Sequence, residues 1–143
     1  MKATPVIKEI LVNAAPDKVW MAITNPEDMK VWYFDLPGFK PEVGYEFSFY
    51  GDTADGTKYL HLCKITEAIV NEKLSYTWRY DGYKGDSLVT FELIPEGAKT
   101  LIRLTHSGLE TFPSDNKDLR KENFDGGWEA IIRESLKHFV ERP

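Results

Sequence analysis

Three histidines and one cysteine are the residues with the readiest chemistry, and their positions limit what they can do. His61 and His106 lie in alternating segments that read as inward strand faces, where an imidazole can serve as acid, base or metal ligand. His138 falls away from both, and positions 61, 106 and 138 share no metal-ligand spacing. A core histidine with satisfied nitrogens is the reading this favours. Cys63 is alone, so no internal disulfide or zinc-binding cysteine cluster can form, and no partner fixed by the sequence activates it as a nucleophile. The carboxylates Glu27-Asp28 and Asp115 with Asp118 fall at expected loops or helix starts, where solvation and capping account for them. There is no glycine-rich phosphate loop, no His-Glu-x-x-His zinc motif and no Gly-x-Ser-x-Gly elbow. No catalytic residue, metal ligand or cofactor is assigned on this basis.

What remains is an excess of rings, 13% of 143 residues, as four Trp, seven Tyr and eight Phe. The elements that must house them follow from the apolar patterning. Val6 to Val12 reads as a strand that ends at the Asn13-Ala14-Ala15-Pro16 breaker. Pro16 and Asp17 open a short helix carrying Val19, Trp20 and Ile23 on one face, and Asn25-Pro26 ends it. A second short helix covers Glu27 to Trp32. Tyr45, Phe47 and Phe49 then alternate with Glu46 and Ser48, as on a half-buried strand. Gly51-Asp52 with Asp55-Gly56 are expected to form a hairpin turn. Strands at Lys58–Ala68, Leu74–Tyr80, Ser87–Ile94 and Thr100–His106 follow, joined by turns short enough to require an antiparallel meander. From about Lys117 the period becomes helical, with Trp128, Ile131, Ile132, Leu136, Phe139 and Val140 on one side.

Strand parity places Phe47 with Phe49, and Leu74 with Tyr76, Trp78 and Tyr80. It likewise groups Val89, Phe91 and Leu93, then Ile102, Leu104 and His106, and finally Tyr59, His61, Cys63 and Ile65. Leu60 and Leu62 leave the last of these faces ambiguous. If these faces meet the final helix, the enclosed space is lined by rings whose few polar tips need partners, as in a ligand pocket or a solid aromatic core. Gly126-Gly127 beside Trp128 marks either an opening or a bend there.

The composition, 42% hydrophobic and 29% charged, suits one globular domain over residues 1–143. A net charge of −5 without a basic cluster argues against nucleic acid as partner. Lys2, Lys8 and Glu9 interrupt the opening Met1–Ala14 stretch, unlike a signal peptide, and no segment approaches the ~20 apolar residues of a membrane span. A cytoplasmic location is expected.

Five motifs in order resemble the START-like (SRPBCC, helix-grip) superfamily, in the branch named for the C-terminal domain of the activator of the Hsp90 ATPase. They are Ala15-Pro16-Asp17-Lys18-Val19-Trp20 with Ala22 to Glu27, the pair Trp32-Tyr33, Lys73-Leu74-Ser75-Tyr76-Thr77-Trp78, Thr100 through His106-Ser107-Gly108-Leu109, and Gly127-Trp128 followed by Ile131-Ile132 and Leu136. The resemblance covers residues about 6 to 140. It implies an α+β helix-grip fold, a curved antiparallel sheet of about six strands wrapped around a long C-terminal helix, with two short helices after the first strand and a cavity between sheet and helix. Cys63 stands where relatives often carry glycine, which implies a narrower wall there. The eukaryotic activators carry an additional N-terminal domain for which 143 residues leave no room.

The expected function is a non-enzymatic module that binds a small, largely apolar molecule or lipid. The expected cavity residues are Trp32 and Phe34 near the entrance, Phe47, Phe49, Tyr59, Tyr76, Trp78, Phe124, Trp128 and Ile132 along the wall, and His61 and His106 as polar anchors. A co-chaperone that contacts an Hsp90-type partner is the alternative, and a cyclase- or hydrolase-type enzyme using the same cavity, with His106 or a nearby carboxylate as general base, the second. A monomer or homodimer is expected.

Overall fold

A computed structural model describes residues 4–53 and 55–143. Ala54, at the tip of the expected hairpin, and Met1 to Ala3 lie outside the described residues. Strand β1 (Val6–Val12) is followed by helices α1 (Pro16–Thr24) and α2 (Pro26–Trp32). Five strands come next: β2 (Glu46–Asp52), β3 (Lys58–Ile69), β4 (Lys73–Tyr80), β5 (Ser87–Glu96) and β6 (Lys99–Ser107). Asn25 is the punctuation between the helices. Its side-chain oxygen accepts from the Glu27 N–H at 2.9 Å while Pro26 occupies the first helical position, a start that needs no amide from proline.

All six strands form one antiparallel sheet in the order β1-β6-β5-β4-β3-β2. The meander brings β2 to β6 together by short turns, and β1 closes the far side against β6, so β1 and β2 are the two edges. Parity resolves the ambiguity in β3: Tyr59, His61, Cys63 and Ile65 are buried, and Leu60 and Leu62 are only partly so. One row across the register joins Phe49 to His61 and His61 to Tyr80, and another joins Val6, His106, Val89, Tyr76 and Ile65.

Gly51 and Asp52 belong to β2 rather than to a turn. The reason is a close approach: a Cβ on Gly51 would stand 2.7 Å from His61 Cε1, so only glycine leaves room for that ring.

The final helix starts later than its periodicity suggests. Lys117–Leu119 is a separate 3₁₀ turn capped by the Asn116 side chain, and Arg120 is extended before α3 (Lys121–Ala130) begins. A π-helical stretch, Ile131–Leu136, connects α3 to α4 (Lys137–Glu141) without a break. Phe124, Trp128, Ile132, Leu136 and Val140 are buried, each four positions after the last, with Phe139 buried beside them. In a regular α-helix that spacing drifts by about 40° per step. The wider π turn offsets the drift and keeps the row over the sheet.

Lys8 supplies a contact that the hydrophobic pattern does not announce. It sits beside Leu104 in the register, and its ammonium reaches Glu129 at 2.9 Å and Asp125 at 3.1 Å, tying the edge strand to α3. Among the described residues no helix is long and apolar enough to cross a membrane.

Candidate functional site

An open cavity of about 220 Å³ lies between the start of the final helix and the end of the sheet at β2, β3 and β4. Strand parity delivers Tyr59, His61, Trp78 and Tyr80 to its wall, and β2 adds Gly51 and Asp52. From the helical side come Phe124, Gly127, Trp128 and Ile131, with Asp118, Leu119 and Asn123 at the rim. Phe34, just past α2, closes one side and stacks on Phe49 at 4.1 Å between ring centroids.

Six of the expected residues therefore meet at this space: Phe34, Tyr59, His61, Trp78, Phe124 and Trp128. Phe47, Phe49, Tyr76, His106 and Ile132 do not line it. Phe49 stacks behind His61 at 4.4 Å, Phe47 packs edge-on to Tyr76 at 5.1 Å, and Ile132 is wholly buried. Trp32 is elsewhere, because its indole N–H donates to the Ala22 carbonyl at 2.7 Å and holds α2 against α1.

His106 is fully buried and both of its nitrogens are engaged. The Trp128 indole N–H donates to Nδ1 at 2.9 Å, which places the ring proton on Nε2. Nε2 then donates to Ser87 Oγ at 2.8 Å, and that hydroxyl donates to the Trp78 carbonyl at 2.6 Å. Burial lowers the imidazole to about 3, so the ring is neutral at ordinary pH and keeps no free lone pair for a base. The chain ties β4, β5 and β6 to the final helix behind the cavity.

His61 is held differently. Its Nδ1–H donates to the Tyr59 carbonyl at 3.0 Å, and burial, the largest influence, lowers it to about 4. It too is uncharged, with Trp78 edge-on at 4.9 Å and Tyr80 at 4.7 Å.

The indole N–H of Trp78 donates to the Tyr80 hydroxyl at 2.8 Å. The Tyr59 hydroxyl donates to Asp118 Oδ2 at 2.8 Å and accepts from Asn116 Nδ2 at 3.2 Å. Burial first, and the Asp118 charge with it, pushes the phenol up to about 12. Deeper in, the Tyr33 and Tyr76 hydroxyls meet at 2.8 Å. The Cys63 thiol is buried and shifted upward by burial, so it stays protonated. Among the described residues no group of three or more His, Cys, Asp or Glu side chains could hold a metal ion.

Sequence reasoning missed Gly51, Asp52, Thr53, Tyr80, Asp118, Leu119, Asn123, Gly127 and Ile131 as cavity residues. Three of these carried a legible signal: Tyr80 shares its strand face with Trp78, Ile131 its helix side with Trp128, and a glycine pair inside a helical period calls for a reason.

A sequence model of the family described as Activator of Hsp90 ATPase homolog 1-like protein matches residues 13–141. No curated protein matches the chain. Among solved structures, protein MLL2253 from Mesorhizobium loti is 28% identical, with a TM-score of 0.76 over 96% of this chain and 97% of that one. Protein BH1534 from Bacillus halodurans is also 28% identical, with a TM-score of 0.75 over 98% of this chain and 99% of that one. The Aha1 dimer from Colwellia psychrerythraea, 22% identical with a TM-score of 0.70 over 97% of both chains, shares the fold. With 129 residues inside the family match, a six-stranded antiparallel sheet and a final helix laid across it, the chain belongs to the Activator of Hsp90 ATPase homolog 1-like family and has its helix-grip α+β fold.

Proposed function

We propose that this protein is a non-enzymatic, cytoplasmic binding module whose cavity between sheet and final helix takes a small, largely apolar ligand. The observation that carries this reading is the ring-lined cavity beside Gly127, the second glycine of the pair Gly126-Gly127. Neither residue has a positive φ, and a Cβ on either would meet nothing within 4 Å. Neither backbone conformation nor close packing therefore requires glycine, although each costs a helix about 1 kcal/mol relative to alanine. Of the two, Gly127 borders the cavity, and the space beside it is open. The rings around it offer apolar contact worth about 25 cal/mol per Å² buried. At about 220 Å³ the space is below the ~300 Å³ of the smallest drug-sized pockets, which suits a ligand of one or two rings. The engagement of both His106 nitrogens supports binding rather than acid–base chemistry.

The test is native mass spectrometry of the gently purified protein, with Gly127→Leu beside it. Leucine is a better helix former, so the variant folds while its side chain fills the mouth. A non-covalent adduct on the parent that the variant lacks is the expected result. A bare parent after incubation with a lipid and metabolite extract, or equal adducts on both, overturns the reading.

The family description favours a second reading, contact with an Hsp90-type chaperone. Stimulation of an Hsp90 ATPase that Gly127→Leu leaves unchanged would support it. The dimer of the Colwellia protein and the open edge of β2, where Tyr50 is 64% exposed, support a homodimer in solution.

A further inference from the structure

The polar atoms facing the cavity are unequally provided for. The Trp78 and Trp128 indole hydrogens and the Tyr59 hydroxyl hydrogen are all donated within the protein. Tyr80 differs. Its oxygen accepts from Trp78, but its own hydrogen has no acceptor among the described residues, although the side chain is only 4% exposed. A hydroxyl hydrogen that the protein does not accept, at the wall of an open cavity, is available to an acceptor atom of a ligand.

Charge is the second asymmetry. The charged side chains lining the cavity are Asp52 and Asp118, with no lysine or arginine among the lining residues. Asp52 has a cation of its own, Lys58 at 3.3 Å. Asp118 is in no ion pair among the described residues and is held at the rim by the Tyr59 hydroxyl. The groove that continues outward adds Asp55 and Glu122 against Lys117. His61, neutral in this site, contributes no positive charge. An entering carboxylate or phosphate would lose hydration and meet only like charge, whereas an ammonium would meet Asp118, beside the Phe124 and Trp128 side chains that line the same space.

We infer that the ligand of this cavity is a one- or two-ring amine, its ammonium at Asp118 and an acceptor atom on its ring end directed to the Tyr80 hydroxyl. This rests on the cavity being a binding site, and the test separates the two claims. Calorimetric titration at neutral pH compares a matched trio: 5-hydroxytryptamine, the corresponding alcohol and the corresponding acetate. The amine binds about tenfold more tightly than the acetate, with the alcohol between them. Asp118→Asn, which keeps an oxygen for Tyr59, brings the amine to the level of the alcohol and leaves the alcohol unchanged. Tryptamine, lacking the ring oxygen, binds less tightly than its hydroxylated counterpart. An acetate that binds as tightly as the amine, an Asp118→Asn variant with the parent's preference, or no binding by any of the trio overturns the inference. The binding-module reading is judged apart from this, by the mass-spectrometric adduct and by whether Gly127→Leu abolishes binding of the uncharged alcohol.

Discussion

Mild acid should destabilise this fold, and two histidines set the size of the effect. His61 and His106 have ordinary values of 6.5 when unfolded, but burial holds them near 4 and near 3 in the fold. Their depressed native values mean that stability is complete above about pH 6.5 and is lost as pH falls, because the unfolded chain takes up protons that the native state refuses. At pH 5.0 both rings are still neutral in the fold and both are charged in the unfolded chain. The gap of 1.5 units below 6.5, at about 1.4 kcal/mol per unit, makes about 2 kcal/mol for each ring and about 4 kcal/mol for the pair. That is a large part of the roughly 5–15 kcal/mol of a typical domain. The carboxylates with lowered values, Asp55, Glu129 and Glu141, act only as pH falls below the ordinary carboxylate range, so they do not compete above pH 5. Urea unfolding at pH 7.5 and 5.0 measures the difference directly. His61→Asn, which retains a donor for the Tyr59 carbonyl, should halve the loss. A loss below about 1 kcal/mol, or one that His61→Asn leaves intact, would refute the assignment of two neutral buried imidazoles.

Further outcomes follow from single contacts. Gly126→Ala should stabilise the fold by about 1 kcal/mol and raise the melting temperature by about 2–4 °C, since its methyl meets nothing; differential scanning calorimetry decides it. Gly51→Ala should cost about 1–3 kcal/mol by driving a methyl into the His61 ring, and His61→Ala in the same chain should recover part of that loss in urea unfolding. Leu136→Ala, at a fully buried position under the sheet, should cost about 2–5 kcal/mol. Lys8→Met should lower the urea midpoint at low salt and lose much of that effect in 1 M salt, because the contacts with Asp125 and Glu129 are electrostatic and partly exposed.

Period and punctuation in the sequence determined the elements. Alternation told which side of each strand is buried, so that Tyr76, Trp78 and Tyr80 share an interior face, and Asn25-Pro26 divided the two short helices. These are local matters, decided within a few residues by backbone geometry. The site is of another kind. Parity assigns a residue to a face but does not say where along the strand the helix lies over it. Phe47 and Phe49 share one face with each other, yet neither lines the cavity, while Gly51 two residues on does. Gly51 read as a turn because the ring it accommodates, His61, comes from the next strand. Asp118 read as a capping residue because its partner, Tyr59, is 59 positions away in the chain. The π turn that holds Trp128, Ile132, Leu136 and Val140 in one row is likewise imposed by the sheet beneath. Which side chains face the core is a short-range consequence of the backbone repeat. Where the core is left open depends on how two elements far apart in sequence cross, and that only the tertiary structure decided.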